Sequence, residues 1–197
     1  MLSGLLNHST NAPLMRVAQN TIDREWEDIQ AAQKDAAAFR TLYDRYYEQI
    51  FRFVYRRTSD EALSADLCSQ VFLKAMQKIH TYTFKGVPFS AWLYRIASNE
   101  VTQHYRNSQK NRIVSIQEVR LEEMTEEIDD FDYEKQRNTL LTALNTLPQD
   151  DMQIIELRFF EQRSFKEVGQ ILGITENNAK TRTYRVLAKI KRNVLTN

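Results

Sequence analysis

The chain has 197 residues and a formal net charge of +1, because 27 Lys and Arg nearly balance 26 Asp and Glu. A hydrophobic content of 42% and a charged content of 27% are typical of a folded, soluble protein with one domain or two small ones. The single cysteine, Cys68, excludes an internal disulfide and a cysteine-based zinc site, and its helical surroundings favour a packing role. The sequence has no glycine-rich phosphate loop, no nucleophile elbow and no metal-ligand spacing among its three histidines. We therefore predict that the protein is not an enzyme and has no catalytic residue, metal or cofactor.

The sequence also lacks a signal-peptide pattern and any stretch long enough to span a membrane, which predicts a cytoplasmic protein without membrane insertion. Only four glycines and three prolines occur, and strand-like alternation is hard to find, so we predict an all-α fold. We divide the chain into an N-terminal extension, a first small helical domain, an acidic linker and a second helical domain, at 1–36, 37–110, 111–137 and 138–197. The extension favours helix over 22–38 by propensity, and we assign it no function.

The first domain begins with a predicted helix over 38–58, in which large apolar residues recur at helical spacing and arginines fill the gaps. This pattern predicts a core helix with a basic outer face. The predicted core residues are Phe39, Tyr43, Tyr46, Tyr47, Ile50, Phe53 and Val54. A second helix is predicted over 60–78, followed by a break at Gly86 and Pro88 and a third helix from Ser90.

The third helix and the loop before it mix aromatic rings with cationic and amide side chains. These residues are Phe84, Lys85, Phe89, Trp92, Tyr94, Arg95, Asn99, Tyr105, Arg106 and Lys110. Such a mixture suits single-stranded nucleic acid, because unstacked bases rest on rings while phosphates meet the charges. The helical spacing of Trp92, Leu93 and Ile96 also fits a plain core, and the sequence leaves both interpretations open.

The predicted linker is strongly acidic. From Glu122 to Glu134 it carries eight acids and no base, between two domains that are basic. This composition predicts a solvated, flexible segment.

The second domain contains the pattern of two helices joined by a tight turn. Ser164 and Glu167 have the spacing of a capping box at the start of the first helix. Gly173 is suited to end that helix in the left-handed conformation, and Thr175 is suited to cap the next one. The order of these signals predicts a helix-turn-helix.

The second helix of this pair has an apolar back and a polar front. Ala179, Val186 and Ile190 fall on one stripe, with Leu187 and Val194 beside it. The segment from 176 to 192 carries six basic residues and one acid. Such a helix suits the major groove of DNA, where its polar front would contact base edges and its basic flanks would contact phosphates. An ordinary amphipathic helix with a solvated basic face is the alternative.

Two blocks of sequence resemble bacterial RNA polymerase sigma factors of the extracytoplasmic-function group, in the sigma-70 family. The first block is ADLCSQVFLKAM at 65–76 with FSAWLYRIASNEVTQHYR at 89–106, and the second runs from 147 to 191 through the helix-turn-helix. The resemblance implies a dissociable specificity subunit that directs polymerase to promoters and initiates transcription. Its first domain would bind polymerase and melt the minus-ten element, and its second would recognise the minus-thirty-five element. The implied partners are bacterial core RNA polymerase, promoter DNA and an anti-sigma factor.

The resemblance assigns roles residue by residue. For polymerase binding they are Asp66, Leu67, Val71, Phe72 and Lys74. For the melted minus-ten strand they are Trp92, Arg95, Asn99 and Arg106. For the minus-thirty-five element they are Asn177, Asn178, Lys180, Thr181, Arg182 and Arg185, to which the polar front adds Tyr184. The resemblance also implies a linker that threads toward the polymerase active site, where an acidic strand would fit a channel built for nucleic acid.

The sequence departs from the family pattern at several positions. Ser69 and Gln70 replace a Gln-Glu pair, so we predict a more apolar polymerase contact that uses Leu67, Val71 and Phe72. Gln103 stands where an aspartate is typical. Thr183 stands where a leucine is typical and adds a polar group near the buried stripe.

Two other classes of protein remain as alternatives. A conventional helix-turn-helix regulator would bind duplex DNA tightly without polymerase. A nucleic-acid-processing enzyme would need a nucleophile or carboxylate constellation, and the only dense acidic cluster falls in the predicted linker.

Overall fold

A computed structural model of the chain describes residues 24–108, 124–125 and 133–195. Every element in these ranges is helical, which confirms the predicted all-α fold. The helices are α1 over 24–34, α2 at Phe39–Thr58, α3 at Glu61–Lys78, α4 at Phe89–Ser108, α5 at Tyr133–Asn145, α6 at Gln149–Ile155, α7 at Phe165–Leu172 and α8 at Glu176–Leu195. Short 3-10 segments occupy Ala36–Ala38 and Ile79–Thr81, and a π-helical segment, Glu156–Phe160, extends α6. The first 23 residues and most of the predicted acidic linker lie outside the described residues.

Helices α2, α3 and α4 pack around the core of the first domain. Phe39, Ile50, Phe53 and Val54 are buried as predicted, whereas Tyr43 is exposed. Tyr46 and Tyr47 are half-buried at the edge of this core. Cys68 lies inside the same core, and burial raises the pKa of its thiol to about 12, which agrees with a packing role.

The outer face of α2 differs from the prediction at Arg57. This side chain is only 2% exposed, and it points at the second domain. Its Nε and Nη2 atoms donate to Oε2 of Glu156 over 2.9 and 2.6 Å, and its guanidinium lies 3.9 Å from the centroid of the Phe53 ring. An acidic partner 99 positions away has turned a predicted surface cation into a buried one.

The helix-turn-helix forms from the predicted local signals. Ser164 and Glu167 make both bonds of a capping box, and Gly173 ends α7 with φ +72°. The hydroxyl of Thr175 accepts from the N–H of Asn178 at 3.2 Å, which caps α8. Gly169 makes a close approach between α7 and the turn, because a Cβ atom there would lie 2.8 Å from the Ile174 carbonyl oxygen. The predicted apolar stripe of α8 is buried.

The two domains pack against each other through α2, α4, α7 and the π-helical segment. Beside the Arg57–Glu156 pair, the carboxylate of Glu161 accepts hydrogen bonds from Arg56 and from the hydroxyl of Tyr94. Gln49 in turn donates to the Tyr94 oxygen at 2.9 Å. Burial raises the pKa of the Tyr94 phenol, so this hydroxyl stays protonated and can donate. The contact between the domains is therefore polar, and it is buried at Arg57 and Glu156.

None of the helices among the described residues is long and apolar enough to cross a membrane. In the same part of the chain, no group of three or more His, Cys, Asp and Glu residues is arranged to hold a metal ion.

Candidate nucleic-acid interface

The four residues predicted for the melted strand fall on one face of α4. Trp92, Arg95, Asn99 and Arg106 are three, four or seven positions apart, so a helix brings them into one stripe. Arg95, Asn99 and Arg106 are exposed, and Trp92 is half-buried. The stripe offers one ring, one amide and two cations, which are the groups that single-stranded nucleic acid needs.

Trp92 is fixed by two neighbouring rings. Its ring centroid lies 5.0 Å from that of Tyr82 and 5.3 Å from that of Phe89, while Tyr82 and Phe89 lie 5.1 Å apart. These three residues form the ring cluster at the start of α4. Because one side of the indole packs on this cluster and the rest is accessible, Trp92 belongs both to the core and to the surface.

The second domain lies beside the first part of this stripe. A cavity of about 200 Å³ lies between Trp92, Arg95 and Gln170 of α7. The Nζ atom of Lys166 lies 3.1 Å from the position that a Cβ atom would take at Gly86 in the α3–α4 loop. Asn99 and Arg106 lie further along α4 and remain exposed. In this arrangement Asn99 and Arg106 are open to a nucleic-acid strand, whereas at Trp92 and Arg95 the strand would share the space with α7.

The polar front of α8 is open. Asn177, Asn178, Lys180, Thr181 and Arg185 are exposed, and Arg182 is half-buried. Tyr184 is also exposed, with its ring 6.1 Å from that of Phe165 on α7. The face predicted to enter a major groove is therefore accessible as a whole.

Thr183 is fully buried in α8, next to the apolar stripe. Its hydroxyl donates to the carbonyl of Ala179 at 2.9 Å, so the buried polar group is satisfied within the helix. The departure from leucine at this position thus leaves no unpaired hydroxyl in the core.

The five polymerase-binding candidates on α3 separate into two groups. Leu67, Val71 and Phe72 are buried in the first domain, so they lack the exposed area that a direct contact needs. Asp66 is exposed, and the Nζ atom of Lys74 donates to Glu100 of α4 at 2.5 Å.

Gln70, already noted as a departure from the family pattern, and Leu73, which was not predicted as a contact residue, are neighbours of Asp66 on α3. Gln70 is exposed and Leu73 is 50% exposed, and both lie on the face of α3 that carries Asp66. The helical spacing could have identified Leu73. Its position around the helix axis lies away from the stripe formed by Leu67 and Val71, so it faces away from the core that they share.

The comparison with family models covers both domains. The model of Sigma-70 region 2 matches residues 42–111, which span most of α2 through α4. The model of Sigma-70 region 4 matches residues 137–190, which span the helix-turn-helix. The chain belongs to the sigma-70 family.

This sigma-70 family member is similar to curated sigma factors, one of them an ECF sigma factor. It is 33% identical over 172 residues to the ECF RNA polymerase sigma factor BldN of Streptomyces coelicolor, a match that covers 86% of this chain and 65% of BldN. It is 27% identical over 169 residues to the RNA polymerase sigma factor YlaC of Bacillus subtilis, with 82% and 94% of the two chains covered. The chain thus spans slightly less than two thirds of BldN and nearly all of YlaC.

Two solved structures share the fold of this sigma-70 family member. One is CnrH in complex with the cytosolic domain of CnrY, with a TM-score of 0.55, 22% identity, and coverage of 85% of this chain and 94% of that one. Another is the sigma factor RpoE in complex with the anti-sigma factor NepR from Bartonella quintana, with a TM-score of 0.54, 20% identity, and coverage of 80% and 96%.

Proposed function

We propose that this sigma-70 family member is a dissociable specificity subunit of bacterial RNA polymerase, acting in the cytoplasm to select promoters and to support their opening. The phosphodiester chemistry belongs to the polymerase, and this chain contributes binding energy only. The supporting observation is that both matched regions carry an exposed polar stripe, one on α4 and one on α8.

The two stripes suit two different forms of DNA. The α8 front has the amides and hydroxyls that contact base edges in a duplex, with Lys180 and Arg185 beside them for phosphates. The α4 stripe has an aromatic platform in Trp92 and an amide in Asn99, which suit unstacked bases. We therefore assign the minus-thirty-five element to α8 and the melted minus-ten strand to α4.

The polymerase contact is assigned to the exposed face of α3 formed by Asp66, Gln70 and Leu73. The opposite side of α3 is packed into the core of the first domain by Leu67, Val71 and Phe72. Lys74 links α3 to α4 by its hydrogen bond to Glu100. An anti-sigma factor is a further expected partner, since the sigma factor RpoE was solved in complex with one.

Run-off transcription with purified core polymerase tests the proposed function. Transcripts should start at promoters only when this chain is added. The rival, a conventional helix-turn-helix regulator, predicts tight duplex binding without polymerase and no new start site. Footprints on promoter DNA with and without core polymerase separate the two.

Substitutions on α8 should divide into two classes. Lys180→Ala and Arg185→Ala should weaken promoter binding about equally for all sequences, and each should lower the slope of affinity against salt by about one phosphate contact. Asn177→Ala and Thr181→Ala should instead reduce discrimination at one base pair by about 1–3 kcal/mol. Affinities of the holoenzyme at several salt concentrations give both quantities.

A control for lost charge is Lys78→Ala, which removes an exposed cation at the end of α3. It should leave the salt slope at the parent value. Equal salt slopes and equal base preferences in all four α8 variants would contradict the assignment of this helix.

A further inference from the structure

Helix α1 lies outside the family match, which begins at residue 42. It is nevertheless built into the first domain, because Ile29 and Ala32 are buried in the core. Three of its polar or aromatic side chains point at the loop of residues 82–88 that joins the 3-10 turn after α3 to α4.

Gln33 holds the beginning of this loop. Its Nε2 atom donates to the carbonyl of Ile79 at 3.0 Å and to that of Tyr82 at 2.9 Å. The Ile79 carbonyl also accepts from the N–H of Tyr82 at 3.0 Å, and the amide nitrogen of Gln33 has two hydrogens, one for each carbonyl. The Gln33 side chain therefore adds a second hydrogen bond at Ile79 and bridges two carbonyls at the point where the chain leaves the helical turn.

Glu25 holds the end of the loop. This carboxylate is buried, and its Oε2 atom accepts from the N–H of Phe89, the first residue of α4, at 3.0 Å. Its Oε1 atom accepts from the hydroxyl of Tyr46 on α2. Between the two ends, the ring of Trp26 lies 6.3 Å from that of Phe84.

Both anchored ends lead to Trp92. Tyr82 and Phe89 are the other two members of the ring cluster, and they contact the indole at centroid distances of 5.0 and 5.3 Å. Gln33 binds the backbone of Tyr82, and Glu25 binds the backbone of Phe89. A shift of either backbone group would therefore move a ring that sets the position of Trp92.

We propose that α1 is the positioning element for the minus-ten contact: through Gln33 and Glu25 it fixes the 82–88 loop and the ring cluster, and so sets which bases Trp92 and its neighbours accept. This inference rests on the proposed function. Gln33 and Glu25 are positioning residues, since neither reaches the exposed stripe itself. A role in folding alone would lower stability without changing the preference for one base over another.

Gln33→Ala is the principal test, with Gln30→Ala as its matched control, because Gln30 is exposed on the same helix. Full-length proteins are assembled with purified core polymerase, and run-off is measured on templates with single-base changes in the minus-ten or the minus-thirty-five element. We expect Gln33→Ala to reduce the preference for the parent base over other bases at minus-ten positions by about tenfold. A tenfold change lies within the free energy that one good base contact contributes. Discrimination at minus-thirty-five positions and affinity for core polymerase should stay at the parent values.

Glu25→Gln tests the other end of the loop, and Glu27→Gln is its control because Glu27 is exposed on the same helix. If Gln33→Ala does not fold, Glu25→Gln replaces it as the principal variant. This variant should likewise reduce the preference for the parent base at minus-ten positions. Parent-like minus-ten discrimination in the folded variants would overturn this inference while leaving the proposed function intact. An equal loss of base preference at the minus-ten and minus-thirty-five elements would also overturn it, since the variants would then impair promoter recognition as a whole. A parent protein that directs no transcription would overturn both.

Discussion

Glu156→Ala should destabilise the packed arrangement of the two domains by about 3–5 kcal/mol, because it removes the carboxylate that compensates the buried charge of Arg57. Arg57 is 2% exposed and Glu156 is 3% exposed, and the pair is joined by two hydrogen bonds to one carboxylate oxygen. Separation of the domains gives Arg57 access to water, so the variant should open before either domain unfolds. Small-angle X-ray scattering would detect this opening as a larger radius of gyration.

Two further variants make this prediction specific. Glu48→Ala removes one member of an exposed pair with Arg52, in which the nitrogen and oxygen lie 3.8 Å apart, and should leave the radius of gyration unchanged. The double variant Arg57→Met with Glu156→Leu replaces both charges by apolar groups, and should restore the packed arrangement wholly or in large part. A single Glu156→Ala variant with the parent's dimensions would show that the ion pair does not hold the domains together.

Phe72→Ala should lower the free energy of unfolding by about 3–5 kcal/mol. The side chain is 3% exposed, and its ring lies 4.9 Å from that of Tyr43 and 6.1 Å from that of Tyr47. Truncation would leave a cavity between α2 and α3 and would remove both aromatic contacts. Urea denaturation followed by circular dichroism measures the loss.

Leu73→Ala is the matched variant on the other face of α3. Because Leu73 is 50% exposed, its truncation should change the unfolding free energy little and should weaken binding to core polymerase. A stable Phe72→Ala protein with reduced polymerase affinity would reverse these two roles and would return Phe72 to the interface.

The sequence predicted those parts of the fold that depend on local chemistry. The capping box at Ser164 and Glu167, the left-handed Gly173 and the cap at Thr175 each need only residues a few positions apart. The buried stripe of α8 follows from helical periodicity in the same way. These rules were enough to locate the helix-turn-helix and its exposed front.

Contacts between distant segments could not be predicted in this way. Arg57 has the same local pattern as the surface arginines of α2, and only Glu156, far along the chain, makes its burial favourable. Gln33 likewise lies in a segment without strong periodicity, and its partners are backbone carbonyls, which leave no mark in a sequence. A hydrogen bond from a side chain to a backbone group far along the chain can be identified only from the structure.

The apolar pattern of α3 shows a different limit. Leu67, Val71 and Phe72 have the hydrophobicity of interface residues and of core residues alike. Hydrophobicity alone does not distinguish a partner subunit from the protein's own neighbouring helix. The burial of these three and the exposure of Leu73 are the observations on which we base our proposal for the polymerase contact.

The buried ion pair between the domains has a kinetic consequence. Salt screens exposed charges strongly and buried pairs weakly, so concentrated salt that releases the protein from DNA leaves Arg57 and Glu156 joined. On return to low salt, Trp92 and Arg95 are still beside α7, and the domains must part before a strand can take the place of α7 next to them. Parting is a first-order step whose rate does not depend on how much DNA is present. The observed rate of engagement at the minus-ten element should therefore rise with DNA concentration and then level off at the rate of domain separation.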